Sequence, residues 1–98
     1  MGDVVEFVNM NIGDAVGALR AGHRVRRRGW NGKGMWLAFV EGCDWQCAIS
    51  PHRIDGTEDA ALSPPLLPWI VIRTADQKMV PWLCSQTDLL ATDWEILK

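Results

Sequence analysis

Two stretches of this chain gather polar and aromatic side chains at close spacing, and the first could hold a small anionic ligand. The first, Gly29-Trp30-Asn31-Gly32-Lys33-Gly34, joins glycines to an indole, an amide and an amine, with Arg28 just before it. Glycines let a ligand approach the backbone, and successive N–H groups can hold an anion. Lys33 and Arg28 add full charges beside them, and Trp30 adds a flat aromatic face. That combination suits a phosphate and a base together. It is neither a P-loop nor a dinucleotide-fold fingerprint, whose glycine spacings are missing. An ordinary hairpin with a solvated basic rim is the alternative reading of the same residues. The second stretch, Pro81 to Trp94, carries Trp82, Ser85, Gln86, Thr87, Asp88, Asp93 and Trp94. Ser85 and Asp88 stand in the S-x-x-D arrangement before Leu89-Leu90, where a serine accepts from a first helical turn and an acid can answer it. Read structurally, Trp82 and Trp94 fill a core and Ser85 is a cap.

The elements that position these stretches follow from periodicity. Ile12, Ala15, Val16 and Leu19 form one apolar helical stripe, with Asn11 as N-cap, Asp14 at the third position and Gly22 as the stop. His23 to Arg28 alternates around Val25 and predicts a strand with a basic outer face. The Asn31-Gly32 pair predicts a tight hairpin, because both positions tolerate positive φ. Met35 to Val40 is apolar on both faces and predicts a central strand, or one covered by another subunit. Residues 41–49 predict a further short strand, and 50–68 a long excursion whose prolines exclude regular helix or central strand. Trp69 to Thr74 is the clearest strand; Ala75 to Lys78 turns, Met79 to Trp82 returns, and Trp94 to Leu97 is expected at a sheet edge. Met1 to Met10 is either a strand or an extension before the domain. The fold class expected is α+β, a single small domain over residues 1–98 with one main helix on an antiparallel sheet and a short second helix near the C-terminus.

Composition narrows the function. A chain of 98 residues, 48% hydrophobic and 22% charged, has the balance of a soluble globular domain without room for a second core. Six tryptophans with no tyrosine exceed what one small core needs, so a pocket or a subunit interface is expected to take some of them. The net charge of −2 opposes sequence-blind binding to long nucleic acids, although Arg24, Arg26, Arg27, Arg28 and Lys33 crowd one segment. No apolar run has the length of a membrane span and no signal-peptide pattern is visible, which predicts a cytosolic protein. An odd count of cysteines (Cys43, Cys47, Cys84) favours free thiols. With His52 nearby, a zinc site would still need Cys84 or His23 at no recognised spacing, so no metal or cofactor is expected.

Gly29 to Met35 and Pro81 to Trp94, with the upstream helix, Gly22, Val25 and Arg28, resemble the second Thoeris anti-defense family of small phage proteins. The resemblance covers about residues 11–96. It implies a non-enzymatic sponge that sequesters a cyclic ADP-ribose-type immune signal (the glycocyclic form, or related cyclic oligonucleotides) in the host bacterial cytoplasm. It also implies a homo-oligomer, typically a tetramer, with sites between protomers. Carried over residue by residue, it marks Trp30, Asn31, Lys33 and Met35 from the first motif and Ser85, Gln86, Thr87 and Asp88 from the second. Arg28 and Thr74 join them by proximity. One departure stands out: Gln77-Lys78 occupies a turn where the family leads one to expect glycine. Two other classes compete. One is a hydrolase of the same signal using Cys84 with His23 or His52, though no spacing supports that pairing. The other is a nucleic-acid or protein-binding module using the Arg24 to Arg28 strip.

Overall fold

The computed structural model of the chain describes residues 5–30, 32–44 and 65–97. Its main sheet has six strands in the order β1-β8-β2-β3-β6-β7: β1 (Val5–Met10), β2 (Arg24–Arg27), β3 (Trp36–Val40), β6 (Trp69–Arg73), β7 (Met79–Pro81) and β8 (Trp94–Leu97). The pairs β1–β8, β8–β2, β2–β3 and β6–β7 are antiparallel. With two helices among the described residues, α1 (Ile12–Arg20) and α2 (Gln86–Leu90), the α+β class is as expected. Contacts divide the chain into two compact units, residues 1–39 with 70–98, and residues 40–69. In the second, β4 (Cys43–Asp44) and β5 (Pro65–Leu66) form a two-stranded ladder. Residues 45–64, with Cys47, His52 and most of the expected excursion, lie outside the described residues.

Helix α1 forms where its local signals say it should. Asn11 Oδ1 accepts from the Asp14 N–H at 2.8 Å, and Asp14 Oδ2 accepts from the Asn11 N–H at 3.4 Å, a reciprocal capping box. At the other end Gly22 takes φ 95°, while the N–H of His23 reaches the Ala18 carbonyl and that of Gly22 the Leu19 carbonyl, both at 3.0 Å. Ala15, Ala18 and Leu19 are buried against Val25, Leu37, Trp94 and Ile96 of the sheet. Trp94 is the hub. It is fully buried, and the rings of Trp30 and Trp82 meet it edge-on at 5.4 and 5.9 Å. Each such pair contributes about 0.5–1.5 kcal/mol beyond area burial.

Two expectations are corrected. Strand β8 is not at an edge: β1 pairs outside it and β2 inside it, and all four of its residues are buried. Within the N-terminal segment, Val5–Met10 is therefore a sheet strand. Nor is the link from β2 to β3 a two-residue hairpin, and Asn31 of the expected Asn31-Gly32 pair lies outside the described residues. The connection runs over residues 28–35, and its left-handed glycine is Gly34 at φ 76°. The turn is wide because its groups are claimed elsewhere. The N–H groups of Arg28 and Gly29 go to the carbonyl and carboxylate of Asp93, at 3.0 and 2.8 Å, and the Gly34 carbonyl accepts from Arg73 Nη1 at 2.7 Å. Strand β3, by contrast, is central as expected, between β2 and β6.

The β6–β7 hairpin shows why a glycine would suit its turn. Gln77 adopts φ 67°, the left-handed region in which a glycine carries no steric cost. Gln77→Gly is expected to raise stability by about 0.5–1 kcal/mol, the relieved strain less the extra unfolded-state freedom of glycine. A urea titration should show a higher midpoint at unchanged m.

Candidate functional site

Strand β2 places Arg27 opposite Trp94 of β8, and the residue before that tryptophan is Asp93. Arg27 Nε donates to Asp93 Oδ1 at 2.7 Å, and Nη1 donates to Asp88 Oδ1 at 2.8 Å. Asp88 arrives from the first turn of α2, which Ser85 caps by accepting the Asp88 N–H at 3.0 Å. The same Asp88 Oδ1 accepts from Trp30 Nε1 at 3.1 Å, and the Asp88 carbonyl accepts from Trp94 Nε1 at 3.1 Å. One largely buried guanidinium thus ties the glycine-rich turn, α2 and the approach to β8 together.

The charges in this cluster stabilise one another. The hydrogen bonds that Arg27 donates to Asp93, and then to Asp88, raise its pKa against the effect of burial. For Asp93, the hydrogen bond from Arg27 is the largest influence, and with the Gly29 N–H it holds the carboxyl below its usual range. Burial pushes Asp88 up, but hydrogen bonds from Arg27, Trp30 and Ser85 together outweigh it and the net shift is downward. Gly29 cannot be replaced without cost, since a Cβ there would stand 2.7 Å from Asp93 Oδ2.

Two clefts flank Arg27. The first, about 390 Å³, is lined by Arg28, Trp30, Lys33 and Met35 of the first motif, together with Arg26 and Glu95. Arg26 pairs with Glu95, Nε to Oε2 at 3.1 Å. Arg28 donates to the amide oxygen of Asn9 at 3.0 Å, and neither it nor Lys33 has a carboxylate partner among the described residues. The second cleft, about 600 Å³, is lined by Gln86, Thr87, Thr92 and Asp93 on the α2 side.

The expected site residues therefore separate. Arg28, Trp30, Lys33 and Met35 share one cleft, while Gln86 and Thr87 line the other. Asp88 is turned into the Arg27 cluster, and Ser85 lines neither cleft. Thr74 closes its own hairpin turn, donating to Asp76 and accepting from the Lys78 N–H at 3.1 Å. Asn31 lies outside the described residues. Trp30 is not a projecting hairpin tip but half-buried against the core, because its N–H finds Asp88 and its ring finds Trp94. Arg26, Arg27, Asp93 and Glu95 were not among the expected site residues. The signal available was the opposition of a basic block at residues 24–28 and an acidic one at 88–95, without the register that pairs them.

Fold and site together define a class: a small α+β domain whose antiparallel sheet carries a cationic cleft walled by an indole. Comparison with known proteins is specific. The family model for the Thoeris anti-defense 2-like domain (Tad2-like) matches residues 10–97. The protein "Thoeris anti-defense 2" of Bacillus phage SP01 is 40% identical over 88 residues, covering 90% of this chain and 94% of that relative. The chain belongs to the Thoeris anti-defense 2-like family.

Proposed function

We propose that the protein is a phage anti-defence sponge that binds a cyclic ADP-ribose-type immune signal in the host cytoplasm and holds it without cleaving it, working as a homo-oligomer. The observation that carries this reading is the first cleft, where Arg28 and Lys33, without a carboxylate partner among the described residues, stand beside the half-buried Trp30. Two cations can hold a pyrophosphate, an indole can stack a purine, and about 390 Å³ falls within the ~300–1,000 Å³ typical of small-molecule sites. A sponge needs a preorganised pocket and no group tuned for proton transfer. Here Trp30 is held by its packing on Trp94 and its bond to Asp88, and Arg28 by its bond to Asn9.

Neither competing class gains support. Cys84 is exposed, yet its thiol is pushed above the ordinary range, first by partial loss of solvent and then by the charge of Asp88, which disfavours the thiolate a nucleophile requires. Within the basic strip, Arg26 and Arg27 are committed to Glu95, Asp88 and Asp93 and are poorly placed to track a phosphate backbone.

The test is stoichiometric. A limiting amount of protein incubated with excess cyclic ADP-ribose-type signal should remove it only to site saturation, and heating should return all of it intact by mass spectrometry. Cys84→Ser and His23→Ala should leave capture unchanged. Continued loss of signal beyond saturation would identify an enzyme instead.

A further inference from the structure

Glu95 is the odd group in the first cleft. It stands on β8 opposite Arg26 of β2, and its side chain is 7% exposed. Its Oε2 accepts from Arg26 Nε at 3.1 Å, and Oε1 has no donor among the described residues. An ionised carboxylate offers about four acceptor positions, and a buried one left half-satisfied is costly. Orphaned buried acceptors are rare enough in folded proteins that each one needs a partner explained. This one belongs to a cleft that also holds Arg28, Trp30 and Lys33. Phosphate binding does not account for it, because a carboxylate repels phosphate.

We infer that Glu95 is a specificity-determining residue: its Oε1 accepts a hydrogen bond from a ribose hydroxyl of the nucleotide, while the phosphates lie towards Arg28 and Lys33. This rests on the sponge reading and adds to it a contact and an orientation. A carboxylate is a recurring solution for ribose hydroxyls in dinucleotide sites, where it accepts what a phosphate cannot offer. Arg26 serves as the positioning residue, engaging one oxygen and leaving the other free for the ligand. The two ends of the cleft then differ in sign. A nucleotide enters one way round, with its sugar at the Glu95 end and its charge at the glycine-rich turn.

Calorimetry on the purified protein tests this with three probes: cyclic ADP-ribose, analogues of it lacking single ribose hydroxyls, and pyrophosphate. Glu95→Gln should weaken binding of the intact nucleotide by about ten- to a hundredfold, the usual loss of a charge-assisted hydrogen bond. For at least one deoxy analogue the substitution should matter by less than about threefold, since the partner hydroxyl is already gone. Pyrophosphate should bind as well as before, or better. Glu95→Asp keeps the charge and should retain more affinity than Glu95→Gln. No loss on Glu95→Gln, or equal losses for the intact nucleotide and every deoxy analogue, would overturn the assignment while leaving the sponge reading intact. A wild-type protein that binds pyrophosphate but no form of the nucleotide would overturn both.

Discussion

Arg27→Met is expected to be the most damaging substitution in the described part of the chain, costing about 3–5 kcal/mol at neutral pH. Its side chain is 15% exposed, and its guanidinium is shared by Asp88 and Asp93, whose side chains are 14% and 21% exposed. Removing it leaves two carboxylates facing a vacated, largely dry site, where the loss of attraction is compounded by repulsion between them. Small domains have only about 5–15 kcal/mol of stability in total, so the variant should melt far below the wild type. The pH dependence distinguishes this cause from lost packing. In the wild type both carboxyls are held below their usual range, so the stability they supply is complete above the unfolded value of about 3.9 and is lost as pH falls through the depressed folded values. In Arg27→Met the same groups, buried and mutually repelling, should have raised folded values. Their penalty is then largest at neutral pH and shrinks as acid protonates them. Urea titrations at pH 7 and near pH 4.5 should therefore show the gap between variant and wild type narrowing with acid. A gap independent of pH would assign the loss to the missing side-chain volume. Arg27→Lys, which keeps the charge but cannot reach both carboxylates in a planar fork, should fall between the two.

What the sequence disclosed and what it concealed divide along local and non-local lines. The cap at Asn11, the stripe on α1, the stop at Gly22 and the Ser85 start of α2 depend on residues within one or two helical turns, and each stands as expected. The central position of β3 was legible because both of its faces are apolar. The place of β8 was not. A strand at the end of a chain reads as an edge unless something pairs beyond it, and only the docking of β1 supplies that partner. Arg27 meets its acids across 61 and 66 positions of sequence, so its run of neighbouring arginines gave no hint that it was spoken for. The same blindness applied to Asp88. Spacing alone made it a helix-capping acid or a ligand group, whereas its carboxylate is turned to Arg27 and Trp30. Gln77 is a different case. The family resemblance led one to expect a glycine there, and the backbone shows a left-handed φ that the glutamine has to tolerate.

Trp30 is where the architecture and the proposed function compete for one side chain, and its substitutions should separate them. The ring packs edge-on against Trp94, its N–H donates to Asp88, and the residue also lines the first cleft. Trp30→Ala should thus cost about 2–4 kcal/mol of folding stability, somewhat below the ~3–5 kcal/mol of a fully buried large aromatic. In the fraction that remains folded it should also cost about 1–3 kcal/mol of nucleotide binding, the range for base–aromatic stacking. Trp30→Phe retains a flat face and loses the donor. It should keep most of the captured signal while losing about 0.5–1.5 kcal/mol of stability through the missing hydrogen bond to Asp88. Melting curves recorded with and without nucleotide, beside binding measured well below the melting temperature, read both quantities on the same samples. If Trp30→Phe folds normally but captures nothing, the site needs the indole as the Asp88 hydrogen bond positions it, and a flat face alone is the wrong account. If Trp30→Ala loses stability yet binds as the wild type does, the indole serves the core alone. The base would then have to be held elsewhere, and the second cleft beside Gln86 and Thr87 would be the next place to look.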